Sequence, residues 1–121
     1  MRKGGFKNLL VWQKAQVLAV AVDQLSQGTV FIREFALADQ RRRAAVGISG
    51  NIAEGDERDT DKDAVRFCSI AKGFAAELRP QLDLANKAGL LSDIDFASFD
   101  QPAEEIARML RGLIKARSPH V

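Results

Sequence analysis

Apolar residues recur at helical spacing along most of the chain and divide it into four segments. Val11, Ala15, Leu18, Val22 and Leu25 alternate four and three residues apart, a seam of the coiled-coil type that predicts a helix over about residues 8–26. Leu37, Ala44, Ala45, Ile48 and Ile52 share one narrow arc at 3.6 residues per turn, which predicts a second helix over about residues 34–54, with Gly55 as its stop. Phe67, Ala71, Phe74, Leu78, Leu82 and Ala85 form a third seam, predicting a helix over about residues 61–88. Thr60 is its N-cap, Asp63 stands as the acidic partner of a capping box, and Gly89 ends it. Pro80 lies inside this seam, and periodicity on both sides implies one kinked helix. Ile106, Met109, Leu110, Leu113 and Ile114 carry a fourth helix, over about residues 101–117, with Pro102 tolerated in its first turn.

The connections are short and no strand-like alternation occurs. The expected fold is therefore all-α: an antiparallel up-down-up-down four-helix bundle, one domain over residues 1–121. The first segment does not fit a simple bundle helix. Leu10, Trp12, Val17, Ala19, Val20 and Ala21 make it apolar nearly all round, and a bundle cannot cover both faces of one helix. Trp12, Val17 and Val20 are accordingly read as a subunit interface; base stacking by Trp12 is the weaker alternative. On the second segment Gln40, Arg43, Gly47, Asn51 and Glu54 line a polar, glycine-notched face beside the core arc. A face of that kind meets something, so these five join the interface group. Glu54 lies near a helix C-terminus, where the macrodipole disfavours a carboxylate, and is expected to have a cationic partner. Gly47-Ile48-Ser49-Gly50 has the Gly-x-x-Gly spacing of a KH domain but lies mid-helix, without the surrounding α/β unit. Its glycines are read as permitting a close helix approach, at some cost in helix propensity.

Composition narrows the chemistry. The 121 residues, 46% hydrophobic and 28% charged, suit a globular domain with a real core. One cysteine, Cys68, excludes an intramolecular disulfide and suits a reducing compartment. Polar residues interrupt the apolar run of the first segment, which argues against a signal peptide, and nothing approaches a membrane span. A cytoplasmic location without membrane contact is expected. The lone histidine, His120, offers no catalytic triad, and no phosphate-binding glycine loop or Glu-x-x-His pair occurs. Asp59, Asp61 and Asp63 match the start of a calcium loop, but Ala64 and Ile70 stand where glycine and glutamate are needed. The acidic stretch from Glu54 to Asp63 is read as solvated carboxylates. No enzyme activity, catalytic residue, cofactor or metal is expected.

A net charge of +2 does not make a nucleic-acid binder; the placement of charge matters more. Arg108, Arg111 and Lys115 share a face of the fourth segment, and Arg117 extends it. Arg41, Arg42 and Arg43 make a second cluster, and Arg2, Lys3 and Lys7 a third. Repeated around an oligomer, such clusters would form a basic surface for RNA or DNA phosphates. Taken one chain at a time, they are an ordinary solvated face.

Several stretches also carry a resemblance. Arg42-Arg43-Ala44-Ala45-Val46 followed by Asn51-Ile52-Ala53-Glu54-Gly55, together with Phe6 to Ala15, Ile70-Ala71-Lys72-Gly73, Glu77-Leu78, Met109-Leu110 and Leu113-Ile114, resembles the bacterial four-helix-bundle family encoded in intervening sequences of large-subunit (23S) ribosomal RNA genes. The accessory variability protein of diversity-generating retroelements is grouped with it. The resemblance implies a homopentamer, and a nucleic-acid-associated accessory or scaffold role in place of catalysis. A reverse transcriptase is a partner only by analogy with the retroelement member. Gln40, Arg42, Arg43, Asn51 and Glu54 are the motif positions that the resemblance assigns to organising the bundle and its interface. Arg41, Ser49, Pro80 and Phe74 depart from the family pattern, Arg41 where an apolar residue is usual and Phe74 where a small one is.

Overall fold

The computed structural model describes residues 9–26 and 35–118. They form four helices, α1 (Leu10–Ser26), α2 (Phe35–Asp56), α3 (Asp61–Lys87) and α4 (Asp93–Ala116). Each helix packs on its neighbours in the order α1–α2–α3–α4, and α4 closes back on α1. Contacts across each seam run in opposite directions: Asp23 near the end of α1 faces Arg42 near the start of α2, and Lys14 near the start of α1 pairs with Glu105 in the second half of α4. The fold is an antiparallel up-down-up-down four-helix bundle, as the periodicity predicts. The early basic cluster (Arg2, Lys3, Lys7), His120 and the side chain of Leu37 lie outside the described residues.

The predicted seams form the core. Val11, Ala15, Leu18 and Val22 from α1 meet Ala44, Ala45, Ile48 and Ile52 from α2, with Ala71, Ala75, Leu78 and Leu82 from α3 and Ala103, Ile106 and Leu110 from α4. Alanine is frequent here, which lets the helix backbones approach closely. Each fully buried Leu or Ile contributes about 1.5–3 kcal/mol of transfer free energy.

The helix ends follow local chemistry. Thr60 caps α3, its hydroxyl accepting from the backbone N–H of Asp63 at 3.2 Å, and Asp61 and Asp63 sit in the first turn, where the dipole favours them. At the other end the N–H of Leu90 donates to the carbonyl of Ala85 and that of Gly89 to Asn86, a Schellman closure that needs the left-handed φ of +81° at Gly89. Helix α3 runs without interruption through Pro80.

Two boundaries differ from the sequence reading. Helix α4 begins at Asp93 and not after Asp100, because Ser92 caps it by accepting from the N–H of Asp95 at 3.1 Å. Pro102 is therefore an interior residue, and Phe96 and Phe99 extend the apolar seam toward the N-terminus. Asn86 fixes the short turn before α4 by donating to the carbonyl of Leu91 at 2.9 Å and to Asp93 at 2.8 Å. Gly55 does not stop α2, which continues to Asp56. Its role is spacing: a Cβ there would lie 2.9 Å from Cβ of Phe67 and 3.2 Å from the carbonyl oxygen of Ala64.

Gly47 does the same two turns earlier, where an added Cβ would stand 2.7 Å from the ring of Phe74, whereas at Gly50 it would meet nothing within 4 Å. The aromatic residue that departs from the family pattern thus seats on a glycine of the facing helix. The close-approach reading holds for Gly47 and fails for Gly50. Ordinarily, glycine to alanine inside a helix stabilises it by up to about 1 kcal/mol. Gly50→Ala should show that gain in urea titration, while Gly47→Ala should lower stability by about 1–3 kcal/mol through overpacking.

Candidate nucleic-acid and assembly surfaces

Three consecutive residues of an α-helix point about 100° apart, so Arg41, Arg42 and Arg43 cannot form one cluster. Arg41 is fully buried and is thereby removed from any phosphate-binding surface. It sits on the arc of Ala44, Ala45 and Ile48, as its place in the apolar register requires. Arg42 is half-buried, with its Nε 3.9 Å from Asp23 on α1. Of the three, Arg43 alone is exposed on the outer side of α2.

On α4 the register works the other way. Ala103, Ile106, Ala107 and Leu110 turn inward, which leaves Arg108, Arg111 and Lys115 exposed together on the outer side. Arg108 donates to Glu104 one turn earlier at 2.6 Å. Among the described residues, Arg111 and Lys115 have no ion-pair partner. Arg117 is not part of this face. It is the C-cap residue of α4, half-buried, and it lines a crevice with Leu9, Ile52, Asp56, Cys68 and Leu113. Since α2 and α4 lie diagonally across the core, Arg43 and the α4 face remain separate surfaces within one chain.

The register between α3 and α4 adds a cation that the sequence reading missed. Arg79 grips Asp100 with two hydrogen bonds, Nε to Oδ1 at 2.8 Å and Nη2 to Oδ2 at 3.0 Å. Those bonds hold the guanidinium above its ordinary pKa against the lowering effect of burial, with the charges of Asp100 and Glu104 adding to the rise. Asn86 and Asp93 meet in the same register. Two turns before Arg79 on α3, Lys72 is half-buried.

The interface group divides similarly. On α1, Val17 is 70% exposed, Val20 50% and Leu10 57%, so the apolar outer face persists in the folded chain. Val17 and Leu10 also line a groove of about 450 Å³ with Phe99 and Pro102 of α4. Trp12 is turned partly inward and packs against the core. On α2, Gln40 and Arg43 are exposed, but the others are engaged within the chain. Gly47 is covered by Phe74, and the Asn51 side chain donates to the Gly47 carbonyl at 2.7 Å. Glu54 pairs with Arg58, the cationic partner expected of it. Arg58 in turn lies 4.6 Å from the ring centroid of Phe67, with Arg66 on the same ring at 5.5 Å.

The acidic loop is solvated in part only. Glu57, Asp59 and Asp61 are exposed, whereas Asp56 is buried at the end of α2. Among the described residues, no three His, Cys, Asp or Glu side chains gather to hold a metal ion. No helix among them is long and apolar enough to cross a membrane.

Against known proteins, the family model for the 23S rRNA-intervening sequence protein matches residues 7–112. No curated protein matches the chain. Among solved structures, the fold is similar to a protein of unknown function from the S23 ribosomal protein family of Bacteroides thetaiotaomicron VPI-5482, with a TM-score of 0.81 at 23% identity, covering 88% of this chain and 99% of that one.

The contrast between adjacent arginines is measurable. Arg41→Ala should lower stability in urea titration by more than about 2 kcal/mol, since it empties a fully buried position. Arg43→Ala should change it by less than about 0.5 kcal/mol.

Proposed function

The chain belongs to the 23S rRNA-intervening sequence protein family, and from that premise we propose that it is a non-enzymatic, cytoplasmic accessory or scaffold protein. It assembles with copies of itself, as a closed homopentamer, and binds RNA or DNA phosphates through basic surfaces repeated around the assembly. The observation that carries the nucleic-acid reading is the outer face of α4, where Arg111 and Lys115 stand exposed beside Arg108. A modest charge per chain suffices when symmetry repeats it, because each phosphate neutralised releases counterions.

Assembly is supported by the outer face of α1. Leu10, Val17 and Val20 present apolar surface to water, and the two charged residues of that helix, Lys14 and Asp23, are turned toward α4 and α2. The remaining candidate, Gln40, lies on a different helix, which leaves Arg43 to the basic surface. Two unlike patches suit a head-to-tail contact, which closes into a ring of subunits, better than a two-fold dimer that uses one patch twice.

A second reading has its own support. Glu104 already neutralises Arg108, and exposed valines speak directly for protein contact. On that reading the protein is an assembly module whose charges set solubility and subunit register, without nucleic acid.

Two variants separate these readings. Replacing Arg108, Arg111 and Lys115 by Gln should weaken binding to labelled RNA and reduce the log–log salt slope by about 2–3; unchanged affinity and slope in anisotropy titrations would remove this face from the site. Val17→Glu with Val20→Glu should reduce the mass in light scattering toward the 13.3 kDa of one chain, and an unchanged mass would exclude α1 as the interface.

A further inference from the structure

The side of the bundle formed by α2 carries a trough of about 690 Å³, lined by Asp23, Arg42, Arg43, Val46, Gly47 and Phe74. Its floor is unusual for a surface depression because it includes a phenyl ring. A Cβ built on Gly47 would stand 2.7 Å from Cγ, 2.7 Å from Cδ2 and 2.8 Å from Cδ1 of Phe74. A point equidistant from three atoms of a regular hexagon lies on the axis through its centre. The Gly47 backbone therefore covers one face of the ring squarely, and Phe74, which is half-buried, lines the trough beside it. The exposed Val46, 58% accessible, forms an apolar wall beside it.

Around that ring the charge is mainly positive. Arg43 is exposed and Arg42 half-buried, while the carboxylate of Asp23 sits at the α1 end, 3.9 Å from Arg42. A flat aromatic surface beside guanidinium groups matches a nucleobase attached to a phosphate: the base stacks on the ring, and the sugar–phosphate chain runs past the arginines. In a duplex the base faces are already stacked on one another and cannot reach a ring set in a trough. A peptide has no comparable planar group at each step.

Resting on the nucleic-acid reading above, we infer that the Phe74 trough is a binding site for single-stranded nucleic acid, with Phe74 as a base-stacking platform and Arg43 and Arg42 facing the phosphates. This site is distinct from the α4 face, which meets phosphates alone and is indifferent to strandedness. Gly47 is then required twice, to let α3 approach α2 and to hold the ring flat.

The test uses the full chain and labelled thymidine oligonucleotides, single-stranded and, paired with a complementary strand, duplex. Phe74→Leu keeps an apolar side chain on Gly47 but removes the stacking surface. It should lose about tenfold or more in affinity for the single strand and less than about twofold for the duplex. Equal losses on both, or no loss on the single strand, would overturn the site while leaving the nucleic-acid reading intact. If the wild-type protein binds neither at low salt, the parent reading fails and this one with it. Should Phe74→Leu fold poorly, Phe74→Trp places a fluorophore in the trough. Its emission should be quenched at saturating single strand beyond any change seen for Trp12 in the wild type, and unchanged emission at saturation would overturn the site.

Discussion

The approach of α3 to α2 through two glycine notches is the constraint on which the arrangement depends. Gly55 admits the Phe67 side chain and the backbone at Ala64, and Gly47 admits the ring of Phe74. With those two points set eight residues apart on α2 and seven apart on α3, the antiparallel register of the pair is determined. The register then decides which side chains are buried. It turns Ala44, Ala45, Ile48 and Ile52 onto the core together with Ala71, Ala75 and Leu78, carries Arg41 inward with them, and leaves Arg43 outside.

From that seam the other surfaces follow. Arg79 and Asp100 continue the register into α4, whose inward residues leave a basic outer face. Helix α1 closes the bundle by burying Val11, Ala15, Leu18 and Val22, while Leu10, Val17 and Val20 stay largely exposed on its outer side. An outer face with Val17 and Val20 exposed is thus a consequence of packing four helices when one of them is apolar all round. In the proposed assembly, a neighbouring copy would cover that face. The same geometry keeps the α4 cations and Arg43 apart in one chain, so a continuous basic surface requires more than one copy.

Much of this is legible in the sequence, for physical reasons. Helix existence, the core seams, the Thr60 cap and the Gly89 closure depend on periodicity and local hydrogen bonding, which are short-range. A local reading misplaces the start of α4 because Pro102 is a stronger signal than Ser92, although Phe96 and Phe99 already continue the seam. The three consecutive arginines form one feature along the chain and three environments in space. Asp56 reads as a loop carboxylate only until the helix is seen to include it. Arg79 on Asp100, Phe67 under Arg58, and Phe74 on Gly47 depend on which helices are neighbours and at what register, and no window of one helix contains that information.

The central claim is that an assembled form of this protein binds nucleic acid through phosphate contacts. It is tested most directly by fluorescence anisotropy of wild-type protein with labelled single-stranded and structured RNA and DNA, at low and near-physiological salt, with light scattering on the same sample. The account predicts a multimer whose affinity falls steeply as salt rises. A monomer, or a multimer that binds none of these ligands even at low salt, would contradict it.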